Sequence, residues 1–311
     1  MSAAPARGGQ PLSIECFGTA DEAVGWCRDA IKQGLSVGFV PTMGALHAGH
    51  QTLVRQAALE NDRVCVSIFV NPLQFGESKD LETYPRNFDG DAKLLEQAGC
   101  HMAFTGTLSE FFPGRLLDDG GLAPEYLLDP GPFAESLEGE FRPGHFEGVA
   151  TIVGRFFEIL EPTRAYFGQK DYQQALVVRD LARRTQGPEV VVCPTHREPS
   201  GIAFSSRNTR LSESEYAAGL FISRALFAAR GLWLEGGRDP RAFASLMRGV
   251  LKQGDLHVEY AAVRDPEQWS GTDPEGPLER AVALIAARAG DVRLIDNMLI
   301  SMAHTVSPQG T

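Results

Sequence analysis

The sequence predicts an α/β fold in which a doubly wound parallel sheet is followed by a smaller α+β domain. Through the first two-thirds of the chain, short apolar runs typical of strands alternate with segments of helical periodicity, and the joints between them are short. After Pro194 this alternation ends, and two long helical segments precede three strand-like runs. We therefore expect two domains, residues 1–196 and residues 197–311.

The elements of the first domain follow from apolar spacing and from residues that stop helices. The run 63–70 is apolar on both faces, which is typical of a central strand in a parallel sheet. Gly99 closes one predicted helix and Pro162 stops another. The predicted strands are 37–40, 63–70, 101–104, 165–167 and 189–193, and the predicted helices are 48–59, 89–98, 146–160 and 171–184.

Two later stretches have a different pattern. Segment 112–144 is rich in glycine, proline and acidic residues, and its length as an irregular excursion suggests function or mobility. In the second domain, Ser212 is a predicted helix N-cap, and Glu215 completes a capping box for a helix that reaches Leu234. The remaining predicted elements are a helix at 240–252 and antiparallel strands at 257–260, 281–285 and 292–295.

Composition excludes several classes of protein. The 311 residues are 43% hydrophobic, with 40 acidic and 29 basic residues, for a net charge of −11. Neither bulk nucleic-acid binding nor attachment to an anionic membrane fits this charge, so any phosphate must be held locally. No uninterrupted apolar stretch approaches membrane-spanning length, and the best candidate, 220–230, contains two arginines. Residues 1–12 lack the apolar core of a signal peptide and are predicted to be a disordered lead.

The five cysteines suggest a reducing, cytoplasmic setting. They are odd in number and no pair has C-x-x-C spacing, so neither a disulfide framework nor a zinc site is predicted, and we expect no metal site. Cys65 and Cys193 lie in strand-like runs and are predicted to be buried apolar residues.

The motif His47-Ala-Gly-His50 lies where a predicted strand turns into a helix. Histidines three residues apart share one helix face, and the first turn offers unpaired N–H groups and the positive end of the helix dipole. Gly49 lets an anion approach the backbone. The motif therefore predicts a phosphate site, with a pair of surface histidines or a metal site as the alternatives.

Two more motifs provide cations near hydroxyl and carboxylate groups. Gly168-Gln-Lys-Asp171 follows a predicted strand, where ligands bind in open α/β sheets. Lys170 suits a phosphate, and Asp171 suits a ribose hydroxyl or a helix cap. Ser205-Ser-Arg-Asn208 combines hydroxyls with a guanidinium, as in an oxyanion clamp, although these residues are also typical of turns.

Amide side chains follow the predicted central strand and open a later helix. Asn71-Pro-Leu-Gln74 ends the strand, and Gln173 and Gln174 follow Lys170. Neutral amides bind a carboxylate or hydroxyl without adding charge, so a substrate site is one interpretation. Solvated loop amides are the alternative.

Six blocks resemble, in order, the pantothenate synthetase (pantoate–β-alanine ligase) family. The resemblance runs from about Val37 to Asn208 and resumes weakly at 260–265 and 294–297. Six ordered blocks are far more specific than any one of them. The blocks are VPTMGALHAGH (40–50), SIFVNPLQF (67–75), YPR (84–86), FRPGHFEGV (141–149), FGQKDYQQ (167–174) and SSRN (205–208).

The resemblance implies a Rossmann-like fold of the HxGH nucleotidyltransferase type, a C-terminal lid domain and a homodimer. It also implies two reaction steps. The carboxylate of pantoate attacks the α-phosphate of ATP, whose phosphates carry Mg²⁺, and β-alanine then displaces AMP from the pantoyl adenylate. Because the attacking carboxylate and the triphosphate repel each other, cations at the phosphates and neutral amides at the acid suit this reaction.

The resemblance also implies roles for individual residues. The expected catalytic residues are His50 as proton donor, His47 and Lys170. The expected substrate-binding residues are Met43, Asn71, Gln74, Tyr84 and Gln174, with Gln74 also near β-alanine. The expected ATP-binding residues are Met43, Gly44, Ala45, Leu46, His47, Ala48, Gly49, His50, Gly168, Gln169, Lys170, Asp171, His196, Phe204, Ser205, Ser206 and Arg207.

Four positions depart from the family pattern. Gln169 stands where Glu is usual, and His196 stands where a small apolar residue lines adenine. Ser200 replaces an expected Asp, and Phe204 often aligns with Met. These departures leave adenylation intact and bear on the identity of the acid or the amine.

Three alternatives accompany the ligase hypothesis. One is a related adenylate-forming ligase that uses another hydroxy acid or amine. Another is a nucleotidyltransferase that stops at a nucleotide product, although the amide motifs disfavour it. The third is a homologue that binds nucleotide without catalysis, which the complete set of polar residues disfavours. A tRNA synthetase fits poorly because the chain has no basic surface.

Overall fold

The chain forms two compact units in a computed structural model that describes residues 14–76 and 81–301. The first unit comprises the chain up to Asp129 together with 147–167 and 178–193, and the second comprises the rest. The second unit thus takes up residues 130–146 and 168–177 as well as the chain from Pro194. The predicted division at residue 196 stays a prediction, and the predicted N-terminal lead lies outside the described residues.

The first unit contains a six-stranded parallel sheet with the order β1-β4-β3-β2-β5-β6. From β2 the chain moves outward through β3 and β4, and it then restarts on the other side of β2 with β5 and β6. The predicted doubly wound sheet is therefore confirmed, and its order reverses between β2 and β5. The strands are β1 Glu15–Phe17, β2 Val37–Thr42, β3 Arg63–Ile68, β4 Met102–Phe104, β5 Arg164–Gly168 and β6 Glu189–Cys193.

Helices cover both faces of this sheet. Strand alternation places Phe39 and Val40 on opposite faces. Val40 packs in a core with residues of α2 and α3, while Phe39 lies 5.6 Å, between ring centroids, from Phe156 of α6. The helices are α1 Ala20–Lys32, α2 Ala48–Glu60, α3 Phe88–Ala98, α4 Leu108–Phe111, α5 Glu138–Phe141, α6 His145–Leu160, α7 Tyr172–Thr185, α8 Glu213–Leu234 and α9 Pro240–Leu251.

The second unit contains a three-stranded antiparallel sheet, which confirms the predicted smaller α+β part of the fold. Helix α8 begins as predicted, because Ser212 Oγ accepts from Glu215 N and Glu215 Oε2 accepts from Ser212 N at 2.8 Å. All three strands extend beyond the predicted segments: β7 and β8 continue through alanines, and β9 continues through Asp296 and Asn297, residue types that weaken a strand signal. They are β7 His257–Arg264, β8 Val282–Ala289 and β9 Val292–Leu299.

Helix α8 is long and apolar enough to cross a bilayer by length and composition alone. A core helix of a globular unit has the same properties, and Ile222, Leu226 and Trp233 of α8 are buried in the core of the second unit. All five cysteines are free thiols, and Cys65 and Cys193 are buried as predicted.

The excursion at 112–144 is only partly irregular. Besides α5 it contains two 3₁₀ turns and an isolated bridge between Leu116 and Leu122. Its second half is held by the buried Gln173, whose Nε2 donates to the carbonyl oxygens of Phe133 at 2.6 Å and Ser136 at 2.7 Å. Gln173 Oε1 also accepts from Glu138 N at 3.0 Å, so this amide uses both its nitrogen and its oxygen to fix the excursion.

Replacing Gly148 with alanine is expected to destabilise the first unit. A Cβ at Gly148 would lie 2.2 Å from Leu73 O, so helix α6 and this backbone would have to separate. We expect a loss of roughly 1–3 kcal/mol, seen as a lower Tm in thermal unfolding. Gly25, exposed within α1 with nothing within 4 Å of its Cβ position, provides the control, because Gly25→Ala should hold or raise Tm. Equal Tm values for the two variants would contradict the close approach.

Candidate active site

The loop between β2 and α2 is held by a buried carboxylate. Gly44 and Ala45 have positive φ angles of 81° and 50°, which is strained for alanine. Asp91, in the first turn of α3, accepts hydrogen bonds from Ala45 N at 2.9 Å and Leu46 N at 2.7 Å. These charge-assisted bonds offset the strain and fix the path of the loop into α2.

Asp91 is only 3% exposed, and burial raises the pKa of its carboxyl above the usual value. The two backbone donors lower the pKa only in part, because N–H dipoles replace lost water less completely than a full positive charge does. Sequence reasoning missed this residue. Its only local signal is an acid in the first turn of a helix, which is normally explained by the helix dipole.

The side chains of the two histidines of the motif lie next to each other, as predicted. His47 is the N-cap of α2 and His50 lies in its first turn, with ring centroids 4.1 Å apart. His47 N donates to His50 Nδ1 at 3.3 Å. Because Nδ1 is the acceptor, neutral His50 carries its proton on Nε2. His50 can therefore donate a proton through Nε2.

Hydrogen bonds narrow the set of backbone amides available to an anion. The N–H groups of residues 44–47 donate to Thr42, Asp91 and His50, so they are already used within the protein. Within the part of the chain that the structure describes, Ala48 N and Gly49 N have no hydrogen-bond acceptor. These amides, at the positive end of a 13-residue helix, are the ones an anion can use.

The amides after β3 form a connected group in the first unit. Asn71 Nδ2 donates to Gln74 Oε1 at 3.0 Å and to Gly148 O at 3.1 Å, and Asn71 Oδ1 accepts from Leu73 N. Gln74 Nε2 in turn lies 3.0 Å from Met43 Sδ. Asn71 and Gln74 are almost fully buried. Asn71 thus orients Gln74 beside Met43, at the start of the loop that leads to the histidines.

Tyr84 belongs to an aromatic pair. It is 6% exposed, and its ring meets that of Phe75 edge-on, with centroids 5.8 Å apart. Arg86 Nη1 donates to Tyr84 O at 3.2 Å. Phe75 directly follows Gln74, so the pair adds apolar surface to the segment that carries this amide.

In the second unit, the predicted motif around Lys170 forms a 3₁₀ turn, Gln169–Asp171, ahead of α7. Lys170 Nζ lies 3.9 Å from Asp171 Oδ1. Asp171 forms no helix-capping bond among the described residues, so the cap interpretation lacks support. The departure at Gln169 has a partner, because Gln169 Nε2 donates to Asn297 Oδ1 at 3.2 Å.

Lys170, Asp171 and Gln174 line one cavity of the second unit. Apart from Gln173, sequence reasoning assigned no role to the other polar residues of this wall, although Arg142 and His145 lie in the family-like block 141–149. Arg142 Nη1 donates to His145 Nε2 at 3.0 Å. The remaining polar side chains of the lining are those of Glu138, Tyr172, Gln173, Tyr260, Asp296 and Asn297.

The adjacent amides Gln173 and Gln174 differ in what they bond. Both stand at the start of α7, and the sequence alone does not show which of them faces a ligand. Successive residues of a helix point about 100° apart, so only the packing of the helix decides which amide turns toward protein. Gln173 is buried and its amide holds the excursion, while Gln174 lies along the cavity wall with Lys170. Gln174 is therefore the better placed of the two for a ligand.

Glu138 anchors this wall electrostatically. Its oxygens accept from Arg293 at 2.7 and 2.8 Å and from Tyr260 Oη at 2.7 Å. Burial by itself raises the pKa of this carboxyl, but the hydrogen bonds and charge of Arg293, the charge of Arg142 and the Tyr260 bond together lower it to about 2. Arg142 Nη1 also lies 3.7 Å from Glu138 Oε2, so Arg142 and Arg293 both pair with this buried carboxylate.

The adenine-binding positions expected at 196 and 204 form a stacked pair. The rings of His196 and Phe204 lie 5.1 Å apart at 17°, and Phe204 N donates to His196 O at 3.0 Å. Both residues are departures from the family pattern, and each provides the other's stacking partner. Ser205 Oγ accepts from Arg207 N at 3.3 Å and so caps the 3₁₀ turn Ser206–Arg210.

The structure therefore places the predicted site residues in two groups. The first unit holds Met43–His50 with Asn71, Gln74 and Tyr84, and the second holds 168–171 with Gln174 and the segment 196–207. Within each group the contacts above connect some neighbouring members, such as Met43 with Gln74 and His196 with Phe204. The residues that sequence reasoning missed, Asp91, Glu138, Arg142 and Asn297, support them.

Comparison with known proteins decides the family. The family model described as pantoate-beta-alanine ligase matches residues 15–299. The chain belongs to the pantoate–β-alanine ligase family. Among relatives of this family, the pantothenate synthetase of Rubrobacter xylanophilus is 48% identical over 267 residues, covering 85% of this chain and 91% of that protein. The pantothenate synthetase of Gluconobacter oxydans is 44% identical, with 89% and 98% covered.

Solved structures of pantoate–β-alanine ligases agree with this assignment. The Thermus thermophilus pantothenate synthetase is 39% identical with a TM-score of 0.81, covering 92% of this chain and 99% of that one. A Francisella tularensis ligase, solved in complex with β-γ ATP and β-alanine, is 30% identical with a TM-score of 0.72, with 93% and 99% covered. The predicted resemblance and the predicted fold class are confirmed.

Replacing Glu138 with glutamine is expected to remove a pH-dependent stabilisation. The folded-state pKa of about 2 lies below the ordinary 4.5, so ionised Glu138 stabilises the fold above pH 4.5 and loses this effect as pH falls toward 2. The shift corresponds to about 3 kcal/mol. Tm of wild type should exceed that of Glu138→Gln at pH 7, and the gap should narrow from pH 5 to pH 3 in thermal unfolding. A gap that is constant over this range would contradict the assignment.

Proposed function

We propose that this chain joins pantoate to β-alanine in an ATP-dependent reaction that passes through a pantoyl adenylate. The observation that carries the proposal is the family match over residues 15–299, with polar residues suited to both steps in the matched blocks. The relatives named above are pantothenate synthetases, and the Francisella tularensis ligase was solved with β-γ ATP and β-alanine.

The reaction has two displacements. A carboxylate oxygen of pantoate attacks the α-phosphorus of ATP, the bond to the β-phosphate oxygen breaks, and pyrophosphate leaves. The nitrogen of β-alanine then attacks the acyl carbon, the bond to the AMP oxygen breaks, and an amine proton is lost. Positioning the two anions and stabilising the charge of the phosphates supply most of the rate.

The first helix turn of α2 is the proposed phosphate site of the first unit. The amides of Ala48 and Gly49 remain as donors, and this turn follows β2, next to which the strand order reverses. Ligands of doubly wound sheets bind at that edge. His47 and His50 donate to phosphate oxygens, and His50 Nε2 protonates the departing pyrophosphate. The loop from Met43 to Leu46 lines the nucleotide.

The neutral amides select the acid. Gln74 holds the pantoate carboxylate or hydroxyls and approaches β-alanine, and Gln174 provides a second amide. Both amide hydrogens of Asn71 are bonded within the protein, so Asn71 acts through Gln74. Met43 and the Tyr84 ring provide the apolar boundary of this site.

The remaining expected residues bind the nucleotide. Lys170 neutralises the α-phosphate, with Gly168, Gln169 and Asp171 completing its turn. Hydroxyls of Ser205 and Ser206 and the guanidinium of Arg207 contact phosphate oxygens. The stacked rings of His196 and Phe204 offer an aromatic surface for the adenine base.

The finer features of the proposal follow the family. Mg²⁺ enters as Mg-ATP, the form in which magnesium usually accompanies substrate phosphates. The enzyme works as a homodimer in the cytoplasm, where free thiols such as the five cysteines here persist.

An ATP–pyrophosphate exchange assay tests the proposal directly. We expect exchange that requires D-pantoate and not β-alanine, because only the first step regenerates ATP from pyrophosphate. Adding β-alanine should give AMP and pantothenate. Exchange without any acid, or a stable nucleotide product, would support a nucleotidyltransferase. Activity with another acid or amine, but none with D-pantoate plus β-alanine, would support the related ligase instead.

Replacing His50 with alanine is expected to lower the exchange rate by roughly 10²–10⁴-fold, as for loss of a general acid. His257→Ala is the matched control, since His257 is exposed at the start of β7, and it should leave the rate unchanged. Wild-type turnover in His50→Ala would refute the proton-donor role while leaving the ligase assignment intact.

A further inference from the structure

Asn297 makes an unusually complete set of hydrogen bonds to the turn that carries Lys170. Its side chain lies on β9 and is buried, with 2% exposure. Nδ2 donates to the carbonyl oxygens of Gln169 and Lys170, both at 2.8 Å. Oδ1 accepts from Gln169 Nε2 at 3.2 Å. Because only an amide nitrogen can donate to two carbonyl oxygens, the orientation of this side chain is fixed by its partners.

Asn297 is itself held rigidly. Asn297 N donates to Asp296 Oδ1 at 2.7 Å, and Asn297 O accepts from Arg197 Nη2 at 3.1 Å. Arg197 also pairs with both oxygens of Asp296, at 2.5 and 2.9 Å, with the two side chains 18% and 4% exposed. Asn297 lies inside β9, opposite Leu284 of β8, and this buried ion pair braces it, so its backbone has little freedom to move.

The held turn has little stability of its own. Residues 169–171 form a single 3₁₀ turn, whose hydrogen-bond geometry is poorer than that of an α-helix. Asn297 donates to the two backbone carbonyl groups that come directly before and after the Lys170 Cα, and it accepts from the Gln169 side chain. These bonds limit the directions in which the Lys170 side chain can extend.

We infer that Asn297 is a positioning residue that holds Lys170 for the reaction, an inference that rests on the proposed function. Gln169 takes part in the same hydrogen-bonded group, because its side chain donates to Asn297 Oδ1. With both N–H groups of Asn297 committed to carbonyl oxygens, its Oδ1 requires a donor, which glutamine supplies and an ionised glutamate does not. The departure at Gln169 is therefore part of holding Lys170 and does not select the acid or the amine.

A double-mutant cycle between Asn297 and Lys170 tests this inference. The variants are Asn297→Ala, Lys170→Ala and the double variant, each assayed by pantoate-dependent ATP–pyrophosphate exchange and by thermal unfolding. If Asn297 acts through Lys170, Asn297→Ala should lower the rate by roughly 10–10²-fold in the wild-type background. In the Lys170→Ala background it should lower the rate by less than about 3-fold, because the group it positions is already absent.

Two further variants separate positioning from general stability. Asn297→Asp keeps the shape of the side chain but loses both N–H donors, so it should lose as much activity as Asn297→Ala. Asn61 provides the matched control, because its Nδ2 donates to Ala57 O at 2.9 Å and Tyr166 Oη at 2.7 Å within the first unit. Asn61→Ala should lower Tm while leaving the exchange rate within about 2-fold of wild type, as for a residue that positions no reacting group.

Each contrary result has a distinct meaning. Equal fold losses from Asn297→Ala in both backgrounds, or wild-type activity in Asn297→Asp, would overturn the positioning role and leave the proposed function standing. Wild-type exchange in Lys170→Ala would overturn the role of Lys170 and the inference with it. Should Asn297→Ala not fold, the cycle is run with Asn297→Asp, and the same two comparisons decide.

Discussion

Burying a carboxylate costs several kcal/mol unless partners replace the water it loses, and this constraint organises the polar parts of both units. Asp91, Glu138 and Asp296 are all nearly inaccessible to solvent. Each has recruited donors from a distant part of its own unit, and the donors of Asp91 and Asp296 come from segments that carry residues of the proposed site. Asp91 fixes the β2–α2 loop, Glu138 fixes the cavity wall that contains Arg142, and Asp296 braces the strand from which Asn297 holds Lys170.

The hydrogen-bond partners of Asp91 and Glu138 differ, and this difference explains why the pKa values of the two carboxyls move in opposite directions. Among the described residues the partners of Asp91 are backbone N–H groups, and burial raises the pKa of its carboxyl. Glu138 is comparably buried, yet the full charge of Arg293 holds the pKa of its carboxyl at about 2. The loop at Asp91 is held by the N–H groups of Ala45 and Leu46, so the amides of Ala48 and Gly49 are not used in fixing it and stay available for the phosphate.

Sequence patterns predicted most features that depend on near neighbours. The capping box of Ser212 and Glu215, the stop after Gly99 and the histidines at a strand-to-helix turn are all local, and all were predicted. The short strand β1 and helix α1 were missed, although Thr19 accepts from Glu22 N and caps α1 as a local signal. Partners far apart in sequence could not be predicted. Asp91 lies 46 residues beyond Ala45, and Asn297 lies 127 residues beyond Lys170.

The departures from the family pattern have partners of their own. Gln169 pairs with Asn297, the ring of His196 stacks on Phe204, and Ser200 Oγ lies 2.8 Å from Tyr216 Oη. Gln169 and Ser200 thus change the framework of the site, and His196 and Phe204 change the surface proposed for the adenine base, while the amides proposed for the acid are unaltered. Gln74 and Gln174, the amides proposed to recognise the acid, follow the family pattern. The physical reasons for a change of substrate are therefore absent from the positions that differ, which favours pantoate over another hydroxy acid.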